Sequence, residues 1–242
     1  MSTYEKINNI PTIEANLFIP IGNACRPAHW LRERKLRKMS FPFDWMMCFN
    51  FNIVLDTLKN GTDAWFDNYE EDVNVNKKDR VVKDIDTGMV AMHDFHKNAP
   101  INEQLKDFKN KYKKRCNYLV KSIEKVKNIC FVCNRSESIE EIKDFLIEFS
   151  KLYKDKNITL VNIRHNENNK MIYEYSISQN IKIYDVNDND INENGSNPVV
   201  NPKFWVGNKQ LWNGICDKLV ISLLSVKKIY LFNIPLVLIE EK

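Results

Sequence analysis

Histidine is scarce in this chain: 242 residues carry four, His29, His93, His96 and His165. Any chemistry that needs an imidazole to accept a proton has only these to draw on. The chain also lacks G-x-x-x-x-G-K-[ST], G-x-G-x-x-G and G-x-S-x-G. Those absences exclude the common phosphate loop, the dinucleotide-binding turn and the serine-hydrolase elbow. No apolar run reaches the ~18 residues a membrane helix needs. The nearest, Leu219 to Ile239, is interrupted by Lys227 and Lys228, so no membrane span is expected. Met1-Ser2-Thr3-Tyr4-Glu5-Lys6 has neither the basic start nor the apolar stretch of a signal peptide. With six cysteines, this predicts free thiols and a cytoplasmic location.

Cys130-Phe131-Val132-Cys133 has the spacing of a redox or zinc half-site. On a strand, however, residues three apart face opposite sides, and no second Cys or His pair follows at zinc-finger spacing. No metal and no cofactor are expected. A net charge of +4 with lysines spread along the chain gives no basis for specific nucleic-acid binding. At 43% hydrophobic and 28% charged residues the composition is that of a soluble globular protein. Neither a repeat nor a linker stands out, so residues 1–242 read as one domain with a substantial core.

Periodicity supplies the elements. Residues 16–21 read as a strand and 27–38 as a helix whose C-terminal half is basic, through Arg32, Arg34, Lys35, Arg37 and Lys38. A second helix is expected over about 50–59, stopped by Asn60-Gly61, and 67–80 reads as a surface loop. Arg80–Ile85 and Met89–Phe95 flank Asp86-Thr87-Gly88 and suggest a β-hairpin. Amphipathic helices follow at 101–127 and 138–153, each leading into a short apolar strand, 129–133 and 158–163. This alternation predicts an α/β fold: a mostly parallel sheet with flanking helices and a β-hairpin insertion. Residues 186–202 read as a loop, 204–218 as a helix, and 219–239 as one or two buried strands, with Pro235 limiting how central the last can be.

The chemistry concentrates at Ile19-Pro20-Ile21-Gly22-Asn23-Ala24-Cys25-Arg26-Pro27. It reads as a strand, a glycine turn and a cysteine at the mouth of a helix, since Pro27 suits a first helical turn. Backbone N–H groups and the positive end of the helix dipole converge there, which favours a thiolate and a developing oxyanion. Asn23, just before Cys25, could add a side-chain donor. Of the histidines, His93 projects from a strand end in Val90-Ala91-Met92-His93-Asp94-Phe95, beside small and aromatic neighbours. His29, one turn beyond Cys25, either bears on the thiolate or packs on the helix face; His96 and His165 neighbour loops. A carboxylate is needed to orient such a base. Asp44, amid Phe41, Phe43 and Trp45, and Asp94 are the candidates.

Ile21-Gly22-Asn23-Ala24-Cys25, Leu31-Arg32, Phe41-Pro42-Phe43-Asp44-Trp45 and His93-Asp94-Phe95, in that order, resemble a domain-of-unknown-function family labelled putative papain-like cysteine peptidase. Its members occur in bacteria, often near surface-glycan genes, and in some large DNA viruses. The resemblance spans most of residues 16–165. It implies a Cys–His site of Cys25 and His93, with Asp44 or Asp94 as third member, and peptide or acylated substrates, glycan-linked ones included. A viral origin would make the location host cytoplasm. It also raises an alternative fold, the papain-like α+β arrangement, against the α/β pattern read from the residues.

The leading expectation is thus a cysteine-dependent hydrolase or acyl transferase. Two rivals stand beside it. One is a glycan- or nucleotide-related transferase or phosphate-ligand domain in which Cys25 is structural. The other is a non-catalytic interaction module.

Overall fold

The computed structural model describes residues 7–73, 79–166, 168 and 170–222, with the strand backbone of 224–226, 229–231, 234–236 and 240–241 beyond them. The chain opens with β1 (Ile13–Ala15) and β2 (Leu17–Pro20), then α1 (Arg26–Glu33), β3 (Met46–Met47) and α2 (Phe51–Asn60). β4 (Tyr69–Glu71), β5 (Asp79–Asp84), β6 (Val90–His96) and the long α3 (Ile101–Lys125) follow. The second half runs β7 (Asn128–Cys133), α4 (Ile139–Leu152), β8 (Asn157–His165), β9 (Ile172–Ser178), β10 (Ile181–Asp188), α5 (Lys209–Cys216) and β11 (Leu219–Ile221).

The fold is α/β. Its central sheet has the order β2-β7-β8-β10-β9, with β2, β7, β8 and β10 parallel and β9 antiparallel at one edge. A parallel sheet must be covered on both faces, and its strands are accordingly apolar on both. Along β7 the side chains alternate between two separate cores: Ile129, Phe131 and Cys133 belong to one, Cys130 and Val132 to the other. The two cysteines therefore lie on opposite faces, as their spacing on a strand requires. The first core includes residues of α2, α3 and α4, the second residues of α1 and α5. The expected hairpin is present as β5 and β6, within a four-stranded antiparallel sheet of order β3-β6-β5-β4 inserted between α1 and α3.

Local chemistry explains where the elements begin and end. α4 starts on a capping box, Ser138 Oγ accepting from Glu141 N–H at 3.2 Å while the Glu141 carboxylate accepts from Ser138 N–H at 2.7 Å. α2 is capped by Asn50 and stops at Gly61, whose φ is +82°. α1 ends earlier than its basic run implies. Lys35 turns left-handed (φ 58°), Leu36 N–H bonds Leu31 O at 2.8 Å and Lys35 N–H bonds Arg32 O at 3.0 Å. That is a Schellman stop carried by lysine instead of glycine, with Leu36 packed against the second core. Hence Arg34, Lys35, Arg37 and Lys38 lie beyond the helix, and Arg34 and Arg37 pair with Asp217 and Asp44 instead of serving the dipole.

Other expectations need adjustment. The 67–80 loop contains β4, which pairs with β5, while residues 74–78 lie outside the described part. The 204–218 helix is divided: a 3₁₀ turn at Phe204–Val206 gives way at Gly207 (φ +74°) to α5, capped by Asn208. In the apolar tail β11 pairs in parallel with β1, and Pro235 falls in a two-stranded antiparallel pair. Burial of that tail beyond residue 222 lies outside the described residues. Among the described residues no helix is long and apolar enough to cross a membrane.

Candidate active site

Cys25 is the N-cap of α1, half-buried, just past the carboxyl end of β2. Gly22 makes this tight entry feasible by its lack of a side chain. A Cβ there would lie 2.4 Å from Asn134 Oδ1 and 2.5 Å from Pro27 Cγ, so the turn closes on both only with glycine. Pro27 occupies the first turn of α1, as its sequence position suggested. Asn23 is exposed, and its carbonyl accepts from Cys48 N–H at 3.3 Å. This bond ties the loop before Cys25 to the segment that follows β3.

His93 is exposed on β6. The strand does not keep simple alternation around it. Arg80 pairs with Phe95 but Val82 pairs with Ala91, so Met92, His93 and Asp94 face Val81 alone. This bulge swings His93 out between Ala91 and Phe95, both fully buried. The imidazole meets Trp45 edge-on, ring centres 6.5 Å apart, and Arg32 of α1 lies 5.5 Å from the centre of the same indole. Trp45 thus stands between His93 and the helix that Cys25 opens.

Neither Asp44 nor Asp94 makes a hydrogen bond to His93. Asp44 is buried and spends its Oδ2 on Arg37, at 2.5 Å, and on Phe41 N–H, at 3.1 Å. Burial pushes its pKa up to about 7 against the opposing pull of Arg37. The turn at Phe41–Asp44 aims the carboxylate back at its own backbone. Asp94 accepts from the Tyr112 hydroxyl at 2.9 Å and pairs with Lys111. It pins the His93 bulge to α3 instead of touching the imidazole. Desolvation, with Arg32 nearby, lowers the pKa of His29, which packs edge-on to Trp205 at 4.9 Å.

Several residues that organise this region carry no motif. Arg135 is almost fully buried. It donates to Ile21 O at 2.9 Å and to Phe49 O, pairs with Glu137 and lies over the Phe51 ring at 4.6 Å. It locks the end of β2 to the segment before α2. Asp190, also buried, binds Arg26, Trp212 Nε1 at 2.7 Å and, through its own N–H, His165 Nδ1 at 3.1 Å. Burial raises its pKa. A Cβ at Gly207 would lie 2.6 Å from Asp190 Oδ1 and 2.7 Å from Arg26 Nε, so that glycine also makes room for the pair. The signal that could have found Asp190 is topological: it follows β10, at the carboxyl edge of a parallel sheet, where ligands bind.

Four of the six cysteines, Cys116, Cys130, Cys133 and Cys216, are buried; desolvation pushes Cys116 to about 11 and Cys216 to about 12 and raises the other two further. Cys25 and the exposed Cys48 are the remaining two. Among the described residues no group of three or more His, Cys, Asp or Glu is arranged to hold a metal ion.

A family model described as "Putative papain-like cysteine peptidase (DUF1796)" matches residues 16–168, well over half of the chain. The chain belongs to this family. The match takes in Cys25, Asp44, His93 and Asp94, and stops before β9, β10 and Asp190. An uncharacterized protein, R408, of Acanthamoeba polyphaga mimivirus is 26% identical over 179 residues, covering 64% of this chain and 79% of its own length. No solved structure matches the chain.

Proposed function

We propose that this chain is a cysteine-dependent hydrolase or acyl transferase with Cys25 as nucleophile. The observation that carries this reading is the position of Cys25 as N-cap of α1, behind a glycine turn and at the carboxyl edge of the sheet. The thiolate attacks an acyl carbon, backbone N–H groups of the first turn and Asn23 stabilise the oxyanion, and an acyl-enzyme forms as the leaving group departs. His93 takes the thiol proton and returns it to the leaving group. This role follows the family resemblance, and the exposed bulge that carries His93 supports it. Asp94 and Asp44 are positioning residues, the first through Tyr112 and the second through Trp45. Substrates are peptides or acylated groups, glycan-linked ones included.

The test is turnover across fluorogenic peptide, isopeptide and ester panels by the wild type, Cys25→Ala and His93→Ala. Cys25→Ala is expected to be silent, and His93→Ala to lose about 10²- to 10⁴-fold in rate. Full activity of Cys25→Ala on any substrate the wild type cleaves overturns the reading.

A further inference from the structure

At the carboxyl ends of β2, β7, β8 and β10, side chains including Asn23, Arg26, Asn134, Arg164, His165 and Asp190 line an open cleft of about 380 Å³. Crevices at this edge of open parallel sheets are where such folds bind ligands. Asn23 and Arg26 bracket Cys25 in sequence, so the cleft abuts the nucleophile's turn.

Hydrogen-bond accounting shows what the cleft offers. Its carboxylates are spent on the protein. Asp190 Oδ1 accepts from Trp212 Nε1 at 2.7 Å and from Asn208 N–H at 3.3 Å, and Oδ2 is taken by Arg26. Both oxygens of Asp185, behind the cleft, accept from Arg164 Nε, at 2.9 and 2.8 Å, and Oδ1 also serves Asn162 Nδ2 at 2.8 Å. The guanidinium groups are only partly spent. Arg26 uses Nε on Trp205 O, at 2.8 Å, and Nη1 on Asp190. Its Nη2, and Nη1 and Nη2 of Arg164, have no partner among the described residues. His165 accepts at Nδ1 from Asp190 N–H, which leaves the proton of the neutral ring on Nε2. The buried aspartates therefore hold two arginines and a histidine in fixed poses with unused donors, beside one buried lining acceptor, Asn134 Oδ1, that has no partner among the described residues.

We propose that this cleft binds an oxyanion group, phosphoryl or carboxylate, gripped by Arg26, Arg164 and His165. That the group belongs to the substrate attacked by Cys25 rests on the function proposed above; the anion site itself does not.

Titration calorimetry with inorganic phosphate and, separately, acetate tests it on the wild type, Arg164→Gln, His165→Phe and Cys25→Ala, each checked for folding by circular dichroism. The wild type and Cys25→Ala are expected to bind one or both anions saturably, and Arg164→Gln at least about tenfold more weakly. Tighter phosphate assigns a phosphoryl group, tighter acetate a carboxylate. If Arg164→Gln fails to fold because Asp185 loses its partner, His165→Phe carries the test, with binding weakened at least about threefold. No saturable binding of either anion by the wild type, or undiminished binding in the folded variants, overturns the site. Anion binding retained beside full turnover by Cys25→Ala would remove the nucleophile assignment and leave the anion site standing.

Discussion

The setting of Cys25 was legible residue by residue, because a strand, a glycine and a proline fix it within a dozen positions. The partners of Asp44 and Asp94 were not, because a carboxylate's partner is set by whatever the fold packs against it. Asp44 found Arg37, and Asp94 found Tyr112 on a helix that sequence places near it only through an intervening turn. The burial of Asp44 has a measurable consequence. Its pKa is raised from the ordinary carboxylate range to about 7. The folded state thus holds the proton more tightly than the unfolded chain. The resulting stability is full below the ordinary carboxylate value and is lost as pH rises through about 7, at no more than about 1.4 kcal/mol per pH unit. Relative to Asp44→Asn, which does not titrate, the wild type is expected to lose stability between pH 5 and pH 8 in thermal melts. Parallel curves for the two proteins would refute a raised Asp44 pKa.

At the scale of elements, most helices and the β5–β6 hairpin were readable from periodicity and turn residues. Two failures have clear causes. The left-handed stop of α1 falls on Lys35, a residue with no preference for that conformation, so nothing in its identity marked the end. The β6 bulge is invisible to a period-two reading, and it is the feature that exposes His93. Asp94 pins that bulge to α3 through Tyr112 and Lys111. Asp94→Ala leaves the buried Tyr112 hydroxyl without its acceptor and is expected to cost about 1–3 kcal/mol. It should also lower kcat through displacement of His93 while leaving KM nearly unchanged. A loss of stability with no change in kcat would make Asp94 structural alone.

Across the whole molecule, the α/β class followed from helix–strand alternation after residue 100, whereas β9 and β10 did not. β9 is half-exposed at the sheet edge and carries only a weak apolar pattern, and β10 runs into a polar loop. The architecture separates two cores by one sheet, so β7 and β8, apolar on both faces, sit at its centre. Hydrogen exchange read by mass spectrometry is expected to show β7 and β8 opening only with global unfolding, and β9 opening sooner. Equal protection of β9 and β7 would contradict that hierarchy. The cleft beside Cys25 is likewise a property of the whole sheet, assembled from the ends of four strands far apart in sequence.

The central claim, an activated thiol at Cys25, is tested most directly by its rate of alkylation with iodoacetamide as a function of pH. Cys48→Ser removes the other thiol that is not buried, so native alkylation reports Cys25 alone. The expected result is a rate at pH 7 above that of free cysteine, a midpoint below about 7.5, slowing in His93→Ala and no labelling in Cys25→Ala. A Cys25 that alkylates no faster than free cysteine, with a midpoint near about 8.5 and no response to His93→Ala, would contradict it.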